Sequence, residues 1–202
     1  MATLAAVTQV GESIVAMLRT RRDLLAAANQ LSSLPAAFDI AHLSAARLGA
    51  TPPTGGLSIT CYQVTPSEHQ RQQPPARNAA EATTISVELR YLAAAWPSAT
   101  ADEQAMITWA MLELARQPVL DRSVLLGGDV WERDEIVQLL TDVSPPEQVF
   151  RIWDTFQQKY RLSFTFTARV IRIGYGPPEQ WPPVVATRIG FADTDPLTEA
   201  PA

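Results

Sequence analysis

The stretch Thr83-Thr84-Ile85-Ser86-Val87-Glu88-Leu89-Arg90-Tyr91 alternates strictly, with Ile85, Val87, Leu89 and Tyr91 on one side and Ser86, Glu88 and Arg90 on the other. A period of two predicts a half-buried strand, because successive side chains point to opposite faces of a sheet. Upstream, Leu57-Ser58-Ile59-Thr60-Cys61-Tyr62-Gln63-Val64 sets Leu57, Ile59 and Cys61 against Ser58, Thr60 and Tyr62, and Gly55-Gly56 precede it. Its β-branched and aromatic content suits a second strand. Between the two lies a polar run from Glu68 to Ala82 with Pro74-Pro75 inside it. Together they predict a wide hairpin with a protruding tip. Downstream, the apolar phase of Leu162 to Ile173 runs Leu162, Phe164, Phe166, Ala168 and then shifts to Ile171 and Ile173. That predicts a third strand with a bulge, or with both faces buried at its far end.

Helices frame these strands. Leu4, Val7, Ile14, Val15 and Leu18 form a stripe at helical spacing; the alanine-rich run to Leu31 can extend it, and Pro35 ends it. Phe38 to Leu43 fits a short strand. Thr100-Ala101-Asp102-Glu103 has the form of a capping box, opening a helix with Ala105, Met106, Trp109 and Leu112 that stops before Pro118. Ser144-Pro145-Pro146-Glu147 opens another helix in the same way, with Val149, Ile152, Trp153 and Phe156 on one face. The sum is an α+β domain: a mostly antiparallel sheet with helices packed on one face. From Gly174 onward six of 29 residues are proline, and Asp193, Asp195 and Glu199 make the end acidic. The expected organisation is therefore a domain over residues 1–173 and a proline-rich acidic tail, extended or disordered, over 174–202.

Composition narrows the function classes. A length of 202 residues suits one core. With 16 basic against 21 acidic residues, a net charge of −5, the basic stripe of a nucleic-acid surface is not expected. Cys61 is the lone cysteine, so no internal disulfide and no cysteine-built metal cluster can form. No apolar run approaches the ~20 residues of a membrane span. Met1 to Val10 carries no early positive charge, and Arg19, Arg21 and Arg22 follow the apolar stretch instead of preceding it, so no export signal is expected. Glu12 and Asp23 argue against a transit peptide, and synthesis in the cytoplasm is expected.

Each candidate for chemistry has a plainer reading. His42 and His69 suit surface histidines better than a base or a metal ligand. Cys61, in mid-strand on the apolar phase, suits a buried inert thiol. Asp102-Glu103 and Glu132-Arg133-Asp134-Glu135 resemble paired carboxylates, but helix capping explains the first and a solvated charge run the second. Gly127-Gly128 signals a turn, since no G-x-G-x-x-G frame or following lysine or serine makes a phosphate cradle. No H-E-x-x-H, G-x-S-x-G or EF-hand spacing occurs. Five tryptophans with Tyr62 and Tyr91 suit core and interface anchors. Neither a catalytic, cofactor nor metal residue is assigned, and no enzyme is expected.

The ordered series carries a resemblance. An amphipathic N-terminal helix leads to Gly56-Leu57-Ser58-Ile59-Thr60-Cys61-Tyr62-Gln63-Val64, then Arg77-Asn78 and Leu89-Arg90-Tyr91-Leu92-Ala93-Ala94-Ala95-Trp96. Glu103-Gln104, Trp109-Ala110-Met111, Pro118-Val119-Leu120, Ile152-Trp153-Asp154, Tyr160-Arg161-Leu162-Ser163 and Ala168-Arg169-Val170 follow. Over residues 4–173 this resembles the DUF4255 family, the N-terminal domain of the cap or tube-terminator proteins of extracellular contractile injection systems. The resemblance implies a fold similar to phage tail terminators and a hexameric ring at the end of the inner tube. Its implied partners are further copies of the chain, the inner tube protein and the sheath protein, with neither nucleic acid nor membrane. Alternative readings are a tail-completion or baseplate-adjacent adaptor of the same particle, or a ligand-binding or hydrolytic α+β domain.

Overall fold

The computed structural model describes residues 2–30, 34–35, 37–67, 84–141 and 144–174. In chain order the elements are α1 (Ala6–Ala27), β1 (Ile40–Leu43), α2 (Ala45–Ala50), β2 (Leu57–Pro66), β3 (Thr84–Ala95), α3 (Thr100–Arg116), β4 (Val119–Leu120), β5 (Val137–Thr141), α4 (Pro146–Thr155) and β6 (Ser163–Gly174). The strands form a six-stranded sheet in the order β1-β2-β3-β6-β5-β4. β1 runs parallel to β2, and every other pair is antiparallel. This is the expected α+β class. The strands β2 and β3 pair as the hairpin predicted from their alternation, with Leu57 opposite Ala95 and Pro66 opposite Val87. The polar tip and the proline-rich tail lie outside the described residues.

The phase shift in the third predicted strand is a bulge. Leu89 faces Ala168 and Val87 faces Ile171, so β6 carries one extra residue there. That resets the alternation and lets Ile171 and Ile173 rejoin the buried side. A second irregularity falls between Cys61 and Gln63 on β2, where Tyr62 is the extra residue.

The two long helices cover one face. Val10, Ile14 and Leu18 of α1 and Met106, Ala110 and Leu114 of α3 pack with Ile59, Leu89, Tyr91, Phe166 and Ala168 of the sheet. The helix α1 runs on to Ala27, as its alanine-rich continuation allowed, and ends at Asn29 in a left-handed conformation (φ 55°). The two short helices add a second cluster on the other face, where Leu48 of α2 and Trp153 and Phe156 of α4 meet Leu92, Ala94 and Trp96. One end of β2 and β3 is therefore buried on both sides. That is why Ser58 and Thr60, expected outward, are fully buried, and why β3 continues past Tyr91 through Leu92-Ala93-Ala94-Ala95.

Several expectations are corrected. Thr100 is the first residue of α3 and not its cap: the N-cap is Ala99, which makes no side-chain bond. Glu103 instead accepts a hydrogen bond from the Leu162 amide (3.3 Å), stitching α3 to the start of β6. Likewise α4 starts at Pro146 behind an N-cap of Pro145, and the Ser144 hydroxyl bonds to Thr165 (2.7 Å). In both cases a tertiary partner competes successfully for the would-be capping side chain. Leu4 and Leu112 are exposed at 58% and 61%, since the covered faces are rotated away from them, and Ile85 is exposed near the outer end of β3. Helix α2 and strands β4 and β5 were not anticipated.

Candidate functional site

The sequence candidates do not converge. His42, on β1, places Nδ1 2.9 Å from Glu12 Oε1 on α1 and lays its ring against Gly11. It is an interelement fastener with no second ligand beside it. His69 lies outside the described residues. The Cys61 thiol is half-buried, and burial pushes its pKa up, opposed in smaller part by a hydrogen bond with the Gln63 backbone. That is the opposite of what a nucleophile needs. The Tyr91 hydroxyl is fully buried without a hydrogen-bond partner among the described residues; burial first, then nearby Cys61 and Glu12, push its pKa well up.

Asp102 and Glu103 serve the start of α3 and the Leu162 amide. Glu132, Arg133, Asp134 and Glu135 line an open groove of about 670 Å³ together with Gln138 and Arg172. Glu135 Oε1 there accepts the Ala2 amide (2.9 Å), which tacks the N-terminal segment to the β5 side of the sheet. Gly127 adopts a left-handed conformation (φ 80°) ahead of a single 3-10 turn over Gly128–Val130, which makes the pair a turn. No group of three or more histidine, cysteine, aspartate or glutamate side chains is placed to hold a metal among the described residues. No described helix is long and apolar enough to cross a membrane.

Three of the described tryptophans act as anchors. Trp153 donates to Ser163 Oγ (3.0 Å) and Trp96 to Ser58 Oγ (2.8 Å), and the two rings meet edge to face at 5.9 Å. Trp131 donates to the Leu126 carbonyl (2.7 Å), whose amide in turn reaches Ser13 on α1 (2.8 Å). All are structural uses of an indole N–H.

What the surface offers is contact. Phe150 and Tyr160, each half exposed, stack edge to face at 5.3 Å outside the second cluster. Val64 and Ile85 expose apolar side chains near the outer ends of β2 and β3. Their sequence signal is weak: Phe150 sits one position off the α4 stripe, while Val64 and Ile85 lie on the predicted apolar or alternating runs and give no sign of being uncovered. At one side of the sheet β4 is a short edge: Pro118 has no N–H to return to Leu139, whose amide it receives (2.7 Å), and the Gln117 side chain occupies the Val119 carbonyl (2.9 Å).

No curated protein sequence matches the chain. Among solved structures, it is similar to the sheath/tube terminator of an extracellular contractile injection system, PVC, in its extended state, at 16% identity and a TM-score of 0.56. That alignment covers 98% of this chain and 67% of the terminator chain. The tube-terminating cap of the anti-feeding prophage also aligns, at 16% identity and a TM-score of 0.49, covering 84% of this chain and 61% of that one. The first likeness carries the fold, helices and mixed sheet alike. A sequence profile of the Pvc16 N-terminal domain matches residues 9–187, nearly the whole length and past the end of β6, and the chain belongs to that family.

Proposed function

We infer that this protein is a structural cap of a phage tail-like contractile injection particle, ending growth of the inner tube and anchoring the last layer of sheath. The observation that carries the reading is the shared fold with a sheath/tube terminator over nearly the whole chain, joined to membership of the Pvc16 N-terminal domain family. The candidate polar side chains Glu103, Ser58 and Ser163 join elements of the fold, which suits a structural role. The role needs neither catalysis nor a cofactor.

The cap works as a closed ring of identical subunits, six in number to match a six-fold tube, because heterologous contacts that close on themselves limit their own assembly. Its partners are the inner tube protein and the sheath protein. The chain is made in the cytoplasm and leaves as part of the particle. Residues 1–173 form the ring-building domain, the polar arm at 66–82 reaches the neighbouring subunit or the tube, and the tail from 174 reaches the sheath.

Deletion of the gene, followed by electron microscopy of purified particles, tests this. The expected outcome is tubes of uncontrolled length or sheaths that detach, restored by the intact gene. Particles of unchanged length with intact ends would refute the cap role. Capped particles of normal length after loss of residues 66–82 would refute the arm assignment.

A further inference from the structure

A groove of about 260 Å³ opens between the last turn of α3 and β5. Leu114, Leu139 and Phe166 make its buried floor, and Ala115, Pro118 and Leu140 its exposed rim. Strand β4 leaves it uncovered, because it is two residues long and pairs only with Gln138 and Val137. No charged side chain lines it among the described residues. The outward side of α3 carries the same character away from the groove: Gln104, Thr108, Met111, Leu112 and Ala115 are exposed, and none is charged. Since helix residues three and four apart share a face, Met111 and Leu112 lead directly into the rim at Ala115. Apolar surface of this kind is stabilised by being covered.

We propose that residues 180–187 of the same chain fold back and fill this groove. Gly174 ends β6 eight residues beyond Phe166, about 27 Å along the strand. Val184 and Val185 follow ten and eleven residues later, a span of about 31–36 Å when extended, so they reach back to the level of Phe166 and Ala115. The segment Gln180-Trp181-Pro182-Pro183-Val184-Val185-Ala186-Thr187 is uncharged, like the groove, and lies between Glu179 and Arg188. Its two prolines favour an extended chain and remove two amides that burial would leave unsatisfied. The match to the Pvc16 N-terminal domain runs through residue 187, the end of that uncharged segment, so the domain pattern does not stop with β6. A second copy is a poorer occupant: the groove holds a few side chains, whereas a stable pair needs about 800 Å² on each side. A tethered segment needs little affinity, since attachment holds it at an effective concentration of about millimolar. The outward contact proposed for the tail then falls to the acidic residues beyond Arg188, and the groove itself does not depend on the cap reading.

Nuclear Overhauser effects in the methyl-labelled full-length chain test this directly. Cross-peaks between the Val184 or Val185 methyls and those of Ala115 or Leu140 are expected within one chain. Their absence overturns the proposal. So does their appearance only between differently labelled copies in a mixed sample, which would make a neighbouring chain the occupant. Hydrogen exchange supplies the second arm, with two exposed positions of α3: Ala115→Glu in the rim, and Gln104→Glu about three turns away. The amides of Val184 to Thr187 are expected to exchange about tenfold or more slower than in an unstructured peptide of the same sequence, in wild type and in Gln104→Glu alike. A carboxylate in the groove has no partner there, so Ala115→Glu is expected to lose that protection. Comparable thermal midpoints establish that both variants fold; if Ala115→Glu does not, the wild-type cross-peaks decide. Equal protection in Ala115→Glu and wild type overturns the proposal, as does exchange at the peptide rate in wild type.

Discussion

Gly11 has no room for a side chain, since a Cβ there would sit 2.3 Å from His42 Nε2. Gly11→Ala must push the imidazole off the helix and strain its bond to Glu12. We expect a cost of about 2 kcal/mol, seen as a thermal midpoint lowered by about 4–8 °C. The double change with His42→Ala should recover most of it, because the two sites share one contact. Gly56 is constrained twice: its φ is +81°, and a Cβ would meet the Asp39 carbonyl at 2.3 Å, beside the bond that aligns β1 with β2. Cys61 should react with an aromatic disulfide at pH 8 more slowly than a free thiol, and at the free rate once urea unfolds the chain. Native reaction at the free rate would show that the thiol is not shielded. The Asp121 carboxyl is held below its usual range by the Ser123 hydroxyl (2.5 Å) and amide (2.9 Å). Its contribution to stability is therefore present above the unfolded pKa and lost as pH falls through the folded one. Asp121→Asn should flatten the acid limb of the stability curve, as measured by urea unfolding between pH 2 and pH 6.

At the scale of elements, α3 and α4 show how tertiary contacts override local signals. Since Thr100 does not cap α3, Thr100→Ala should change stability by less than about 0.5 kcal/mol, where loss of a working cap costs about 1. Glu103→Ala should cost more than Thr100→Ala, because it orphans the Leu162 amide at the start of β6. Urea denaturation of the two variants distinguishes this arrangement from a capping box by the order of the losses. In α4, Trp153 is 1% exposed and fills the second cluster while donating to Ser163. Trp153→Ala should cost about 3–5 kcal/mol and loosen α2 with it. Glu113, nearly buried, ties α3 to α1 by accepting from Arg21 (3.1 Å) and also accepts from Arg116 (3.2 Å) on its own helix.

Across the whole molecule, the central strand β3 joins the two clusters: Tyr91, Ala93 and Ala95 face the long helices, and Leu92 and Ala94 face the short ones. Neither cluster can melt without exposing the back of the strand that supports the other. Thermal unfolding should therefore be one transition, with near- and far-ultraviolet circular dichroism coincident even in Trp153→Ala. Separate transitions would mean that the second cluster is an independent unit. At this scale the molecule is a six-stranded mixed sheet with helices on both faces, ending in the short strand β4 at one side and the parallel strand β1 at the other.

Alternation and helical spacing alone determined the class, the hairpin of β2 and β3 and the buried face of α4, and narrowed the far end of β6 to a bulge or two-sided burial, because each depends on the period of a few neighbouring side chains. The same local reasoning excluded disulfides, a cysteine-built cluster and a familiar catalytic motif. Tertiary structure alone decided the rest. Strands β4 and β5 are short and amount to strands only through pairing with each other and with β6; Glu103 and Ser144 look like capping residues until Leu162 and Thr165 engage them. Ser58 and Thr60 become core only because α2 and α4 cover the second face. The parallel pairing of β1 with β2 was equally out of reach, since the neighbour of a strand is chosen by packing across the chain and not by the residues of the strand itself.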